Sequence, residues 1–88
     1  MTREVVVPNA LGLHARAAAR FVQTAAKFAA RIHVTRGERT VDGKSLMGVL
    51  LLAAARGATL RLDAEGPDAE AALDALGTLV AAGFEDTP

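Results

Sequence analysis

The sequence predicts an α+β fold: an open-faced two-layer sandwich of element order βαββαβα, with a four-stranded antiparallel sheet in the order 1-4-2-3 and three helices on one face. Three observations lead there. Segments that alternate apolar and polar residues interleave with segments whose apolar residues recur at helical spacing. Each alternating segment has a single apolar side, so it needs cover on that side only. The chain has 88 residues, with neither internal repeats nor linkers, so a single domain spanning 1–88 is expected. A right-handed crossover between the first two strands leaves a gap that the fourth strand fills antiparallel.

In chain order, Val5, Val6 and Val7 are β-branched and stop at Pro8-Asn9, which reads as a first strand and then a loop to about Leu13. From Ala15 the apolar residues Ala18, Phe21, Val22, Ala25, Phe28 and Ala29 follow one helical stripe, opposite Arg16, Arg20, Gln23 and Lys27. Ile32 and Val34 alternate with Arg31, His33 and Thr35, and Gly37 turns the chain toward Thr40-Val41, giving a hairpin. Ser45 precedes an apolar run that reads as a second, short helix ending near Arg56-Gly57, where a cation and a glycine are common stop signals. Leu60, Leu62 and Ala64 alternate with polar residues as a fourth strand. Gly66-Pro67-Asp68 opens a third helix, with proline and acids in its first turn and a stripe of Ala69, Leu73, Leu76, Val80 and Gly83. Disorder is expected, if anywhere, only in the last few residues.

Composition narrows the function classes. The sequence has no cysteine, which excludes disulfides, zinc-thiolate sites and thiol chemistry. No signal peptide is read at the N-terminus, and the uncharged run Leu46 to Ala55 is far shorter than the ~20 residues of a membrane-spanning helix, so a cytoplasmic protein without membrane insertion is expected. Net charge is zero, but residues 1–44 carry eight basic and three acidic side chains against two and seven in residues 45–88. That asymmetry suggests a basic surface able to steer an acidic partner; a solvated mixture of charges explains it equally well. Nucleic acid is a poor partner for a neutral chain with three Phe and no Tyr or Trp.

Gly12-Leu13-His14-Ala15-Arg16 places a histidine between a glycine-containing loop and the first helix. The first amides of a helix lack intrahelical acceptors and the macrodipole is positive there, so an anion attached to His14 finds donors in place. A neutral imidazole can attack phosphorus directly, and Arg16 can offer a planar fork of donors to phosphoryl oxygens. Two readings of these residues stand side by side: a phosphoryl acceptor, or a helix cap beside a solvated base. His33, on the exposed side of a strand, is too isolated to be a metal ligand, and no metal site is expected.

Together with Lys44-Ser45-Leu46-Met47-Gly48-Val49, the His14 segment resembles the HPr family of bacterial phosphocarriers, which serve the phosphoenolpyruvate-dependent sugar phosphotransferase system. The likeness extends over nearly the whole chain and includes Arg56-Gly57 and Ala64-Glu65-Gly66. It implies that His14 accepts a phosphoryl group from Enzyme I on Nδ1 and passes it to sugar-specific components, with Arg16 orienting the phosphate. It implies a stoichiometric carrier, not an enzyme, with no cofactor; a monomer is expected. Ser45 matches a serine that an ATP-dependent kinase phosphorylates in many relatives from low-GC Gram-positive bacteria, so a serine kinase is a further candidate partner; serine is also a favoured N-cap in its own right. Because the second helix is apolar almost all round, Leu46, Met47 and Leu50 cannot all enter so small a core. With Arg20 on the first helix, they form the candidate partner-binding surface.

Two positions depart from the family pattern. Ala17 stands where proline is usual, restoring a backbone donor in the first turn. Ala53 stands where glycine is common, so a longer second helix is expected. The competing functions are a regulatory binding module acting through the Ser45 surface, and a carrier in a nitrogen-linked or single-substrate phosphotransfer chain.

Overall fold

The computed structural model describes residues 1–85; the last few residues, on which the expectation of disorder falls, lie outside the described residues. The elements are β1 (Thr2–Val6), α1 (Ala15–Ala25), β2 (Arg31–Arg36), β3 (Arg39–Asp42), α2 (Leu46–Leu51), β4 (Thr59–Glu65) and α3 (Ala69–Ala81), followed by a 3₁₀ turn at Gly83–Glu85. The four strands form one antiparallel sheet in the order β1-β4-β2-β3, as the one-sided strand pattern predicts.

Burial follows the pleat. Ile32 and Val34 of β2 and Leu60, Leu62 and Ala64 of β4 face inward and are buried, while Arg31, His33, Arg61 and Glu65 face water. Phe21 of α1 and Leu73, Leu76 and Val80 of α3 close the core from the helix side. Burying a side chain of this size contributes ~2 kcal/mol. Ala17, Ala18 and Ala25 on α1, with Ala69 and Ala72 on α3, are also buried, and their small side chains let α1 sit close to α2 and α3, and α3 close to the sheet.

Element ends differ from the sequence reading in four elements. β1 begins at Thr2 rather than Val5, because β4 supplies a ladder partner for each residue from Thr2 to Val6 whatever its polarity. Val7 has left the ladder and is buried, its amide donating to the Ala58 carbonyl at 2.9 Å. α1 stops at Ala25, short of Phe28 and Ala29: the amides of Lys27 and Phe28 tighten onto Thr24 and Ala25 carbonyls, and the Asp68 carboxylate takes the amides of Ala29 and Ala30. α2 ends at Leu51 and not near Arg56, which overturns the expectation of a lengthened helix. Ala53 does not extend it, because its φ of 48° turns the chain out of the helix. α3 begins after Pro67, so proline precedes the first turn and only Glu70 is acidic within it; Gly83 lies beyond its end, where Phe84 turns into the core. Among the described residues, no helix is long and apolar enough to cross a membrane.

Candidate functional site

The loop between β1 and α1 is built to hold one residue in place. Gly12 has φ 66°, and a Cβ there would stand 2.5 Å from the Ala54 carbonyl oxygen, so glycine is required both by conformation and by space. The Asn9 side-chain amide donates to the Gly12 carbonyl at 2.8 Å, and the Leu13 amide donates to the Ala54 carbonyl at 2.8 Å. Leu13 is itself buried, so this segment is anchored by backbone and side chain together.

His14 follows as the N-cap of α1, with φ −73° and ψ 178°, and its carbonyl accepts the Ala18 amide at 2.8 Å. Its ring turns back over the helix start: the Arg16 amide donates to Nδ1 at 3.3 Å. An N–H that donates to Nδ1 uses that nitrogen's lone pair, which places the proton of a neutral ring on Nε2. The lone pair therefore belongs to the nitrogen nearest the first-turn amides, where positive potential and unsatisfied donors are concentrated. His14 is partly exposed and Arg16 exposed. Ala17 is buried in the first turn, and the helix starts at Ala15 without a proline to set φ.

The structure thus brings the His14 ring onto the backbone amide of Arg16. Arg20 is half-buried, and its Nη1 donates to the Phe84 carbonyl at 2.8 Å, which ties the middle of α1 to the turn after α3. Ser45 is the N-cap of α2, its Oγ accepting the Gly48 amide at 3.0 Å. On α2, Val49 and Leu52, three residues apart, take the inward side, whereas Met47 and Leu51, four apart, point outward. Leu46, Met47 and Leu51 are 45%, 69% and 55% exposed, while Leu50 packs half-buried against the core. The exposed apolar surface therefore includes Leu46 and Met47 as expected, but its third α2 member is Leu51 rather than Leu50. Leu11, in the His14 loop, is exposed as well and went unnoticed in the sequence. The Val49/Leu52 spacing was the available signal for Leu51; nothing in the local pattern marks Leu11. Among the described residues, no group of three or more histidine, cysteine or acidic side chains could hold a metal ion.

Comparison with known proteins gives a consistent picture. Residues 1–82 match the family model described as the PTS HPr component phosphorylation site. The phosphocarrier protein HPr of Cupriavidus necator is 45% identical over 84 residues, covering 96% of this chain and 94% of the relative. A crystal structure of HPr from Thermoanaerobacter tengcongensis superposes with a TM-score of 0.95 at 40% identity, over 100% of this chain and 99% of the other. HPr from Bacillus anthracis gives a TM-score of 0.87 at 42% identity, over 91% and 95% of the two chains.

Proposed function

The chain belongs to the HPr family of phosphocarrier proteins of the phosphotransferase system, and from that premise we propose that His14 is its phosphoryl acceptor and Arg16 the residue that orients the transferred group. The protein is a phosphocarrier of that system. A binding module working only through Ser45, or a carrier in a separate chain, is not favoured by these relatives.

The observation that carries the residue assignment is the Arg16 amide bonded to Nδ1 at 3.3 Å, which directs the lone pair of that nitrogen toward the start of α1. In the proposed step, Nδ1 attacks the phosphorus carried by the donor protein, a P–N bond forms, and the bond to the donor breaks in line with it. Nδ1 then bears phosphorus in place of its hydrogen bond, and the Arg16 amide turns to a phosphoryl oxygen. Its neighbours in the first turn and the Arg16 guanidinium supply further donors to the charge spread over these oxygens. Passing the group onward reverses the same events, so the protein turns over no substrate of its own and needs no cofactor. Enzyme I is the proposed donor and the sugar-specific components the acceptors, docking on α2 through Leu46, Met47 and Leu51 beside Arg20 and the start of α1, in the cytoplasm. We take the carrier to act as a monomer, one unit over 1–88. Phosphorylation of Ser45 by a serine kinase would place about two negative charges beside Leu46 and Met47 and weaken that docking.

Phosphorus NMR after incubation with phosphoenolpyruvate and Enzyme I tests the assignment. The wild type gains a phosphohistidine signal and His14→Ala, still folded, gains none; labelling that survives the substitution overturns it. Arg16→Ala is expected to keep the label but to slow its transfer by about tenfold to a hundredfold.

A further inference from the structure

Ala53 has a Cβ, yet it sits at φ 48°, in the left-handed region that crowds Cβ against the following carbonyl oxygen. Residues held there persist where their surroundings over-determine them, and they gather near functional sites. Here the surroundings act from both sides. Upstream, the Ala53 amide donates to the Leu50 carbonyl at 3.1 Å, and the next carbonyls at the end of α2 are held by the hairpin: Arg39 Nη1 donates to Leu51 at 2.7 Å and Arg36 Nη1 to Leu52 at 3.0 Å. Downstream, Ala54 is buried and its carbonyl accepts the Leu13 amide at 2.8 Å. Gly12 closes the joint, with no room for a Cβ against the same carbonyl. A continuous set of held backbone groups therefore runs from the β2–β3 hairpin, through the end of α2, to the residue before His14.

We propose that Ala53 is a positioning residue for phosphoryl transfer at His14: its left-handed turn aims the Ala54 carbonyl at the Leu13 amide and so fixes the backbone from which the imidazole projects. This rests on the reading of His14 as the acceptor. The ring stands one residue beyond the joint, so a rotation of the Leu13 peptide moves Nδ1 relative to the donors of the first turn. Transfer between two proteins draws its rate from in-line alignment, where a displacement of about 1 Å can cost about a hundredfold. An Ala53 in the right-handed or extended region would turn the Ala54 carbonyl away and release the Leu13 amide to water.

The test compares Ala53→Val with Ala53→Asn in transfer from phosphorylated Enzyme I, together with amide hydrogen exchange. Valine is β-branched and resists the left-handed region, whereas asparagine tolerates it. Ala53→Val is expected to speed exchange of the Leu13 amide while the Leu62 amide in β4 keeps its protection, and to lower kcat, the saturated rate of transfer from Enzyme I to the carrier, about tenfold with the KM of Enzyme I for the carrier within about twofold. Ala53→Asn restores both. If Ala53→Val does not fold, Gly12→Ala attacks the same joint from the other side and is expected to lower kcat likewise. Unchanged kcat in a variant whose Leu13 amide has lost protection overturns the proposal, as does a fall in kcat that follows loss of protection across the whole sheet and disappears on cooling. A wild type that takes no phosphoryl group on His14 overturns the site assignment itself, a result distinct from either of these.

Discussion

Asp68 stands at the N-cap of α3, but its side chain makes no cap bond there; its two carboxylate oxygens accept the amides of Ala29 and Ala30, each at 2.8 Å. These amides close the turn between α1 and β2, and Lys44 Nζ holds the same turn by donating to the Phe28 carbonyl at 2.6 Å. The Ala29 amide above all, then the Ala30 amide and the Lys44 charge, hold the Asp68 carboxyl below the usual carboxylate range. Because the folded pKa is lowered, the carboxylate contributes stability that is fully present above the unfolded pKa and is lost as pH falls through the folded one. Asp68→Asn, which keeps one acceptor oxygen, is therefore expected to lower the melting temperature near neutral pH, with the gap to the wild type closing as acid protonates Asp68. Thermal melts across pH check this, and a gap independent of pH contradicts it. The sequence marks Asp68 as an acid at a helix start; it does not reveal partners 39 and 38 residues earlier. The cap position of His14 was legible for the opposite reason, since it and the bond from the Arg16 amide are set by neighbours within a single turn.

At the scale of elements, the start of α2 was readable and its end was not. Ser45 caps the helix through its own side chain, a local interaction that sequence encodes directly. The end is set by Arg36 and Arg39 on its carbonyls and by the turn at Ala53, all of which depend on the hairpin and the His14 loop being in place. Arg56-Gly57 resembles a stop signal, but the Gly57 amide instead donates to the carbonyl of Val7, just past β1, at 2.8 Å. The early stop in turn places Leu52 in the core and leaves Leu51 outside. Ser45→Ala removes the cap and is expected to lower stability by about 1 kcal/mol, a fall in melting temperature of about 4–8 °C for a domain of this size. Ser45→Asp restores an acceptor and should recover most of that loss while adding a charge next to Leu46 and Met47. Calorimetry of the two variants, set beside their transfer rates, separates the cap from the docking surface: stability should follow the acceptor, and affinity for Enzyme I should follow the charge.

For the whole molecule, the sheet order was legible because one-sided strands joined by a helical crossover admit few arrangements, and β4 fills the place between β1 and β2. The charge asymmetry between chain halves was legible as a count but not as a surface. Because α3 packs back over β1, some opposite charges are brought into contact: Arg3 of β1 pairs with Asp74 of α3 at 2.6 Å. What survives folding is a local imbalance on the helical layer. α1 carries Arg16 and Arg20 with no acidic residue and Lys27 just past its end, whereas α3 carries Glu70 and Asp74. A basic helix bearing His14 at its start should draw an acidic donor surface toward the acceptor nitrogen, and an attraction of this kind acts mainly on the association rate. The second-order rate of phosphoryl transfer from Enzyme I is accordingly expected to fall steeply between ionic strengths of about 0.01 M and 1 M, as the screening length shrinks from about 30 Å to about 3 Å. The rate at saturating donor should change little. Lys27→Glu, away from the His14 ring, should slow association at low salt and match the wild type at high salt, with an unchanged saturated rate. Stopped-flow measurements over that range decide it: a second-order rate that does not respond to salt would mean that docking depends on the apolar residues of α2 and not on the charge of α1.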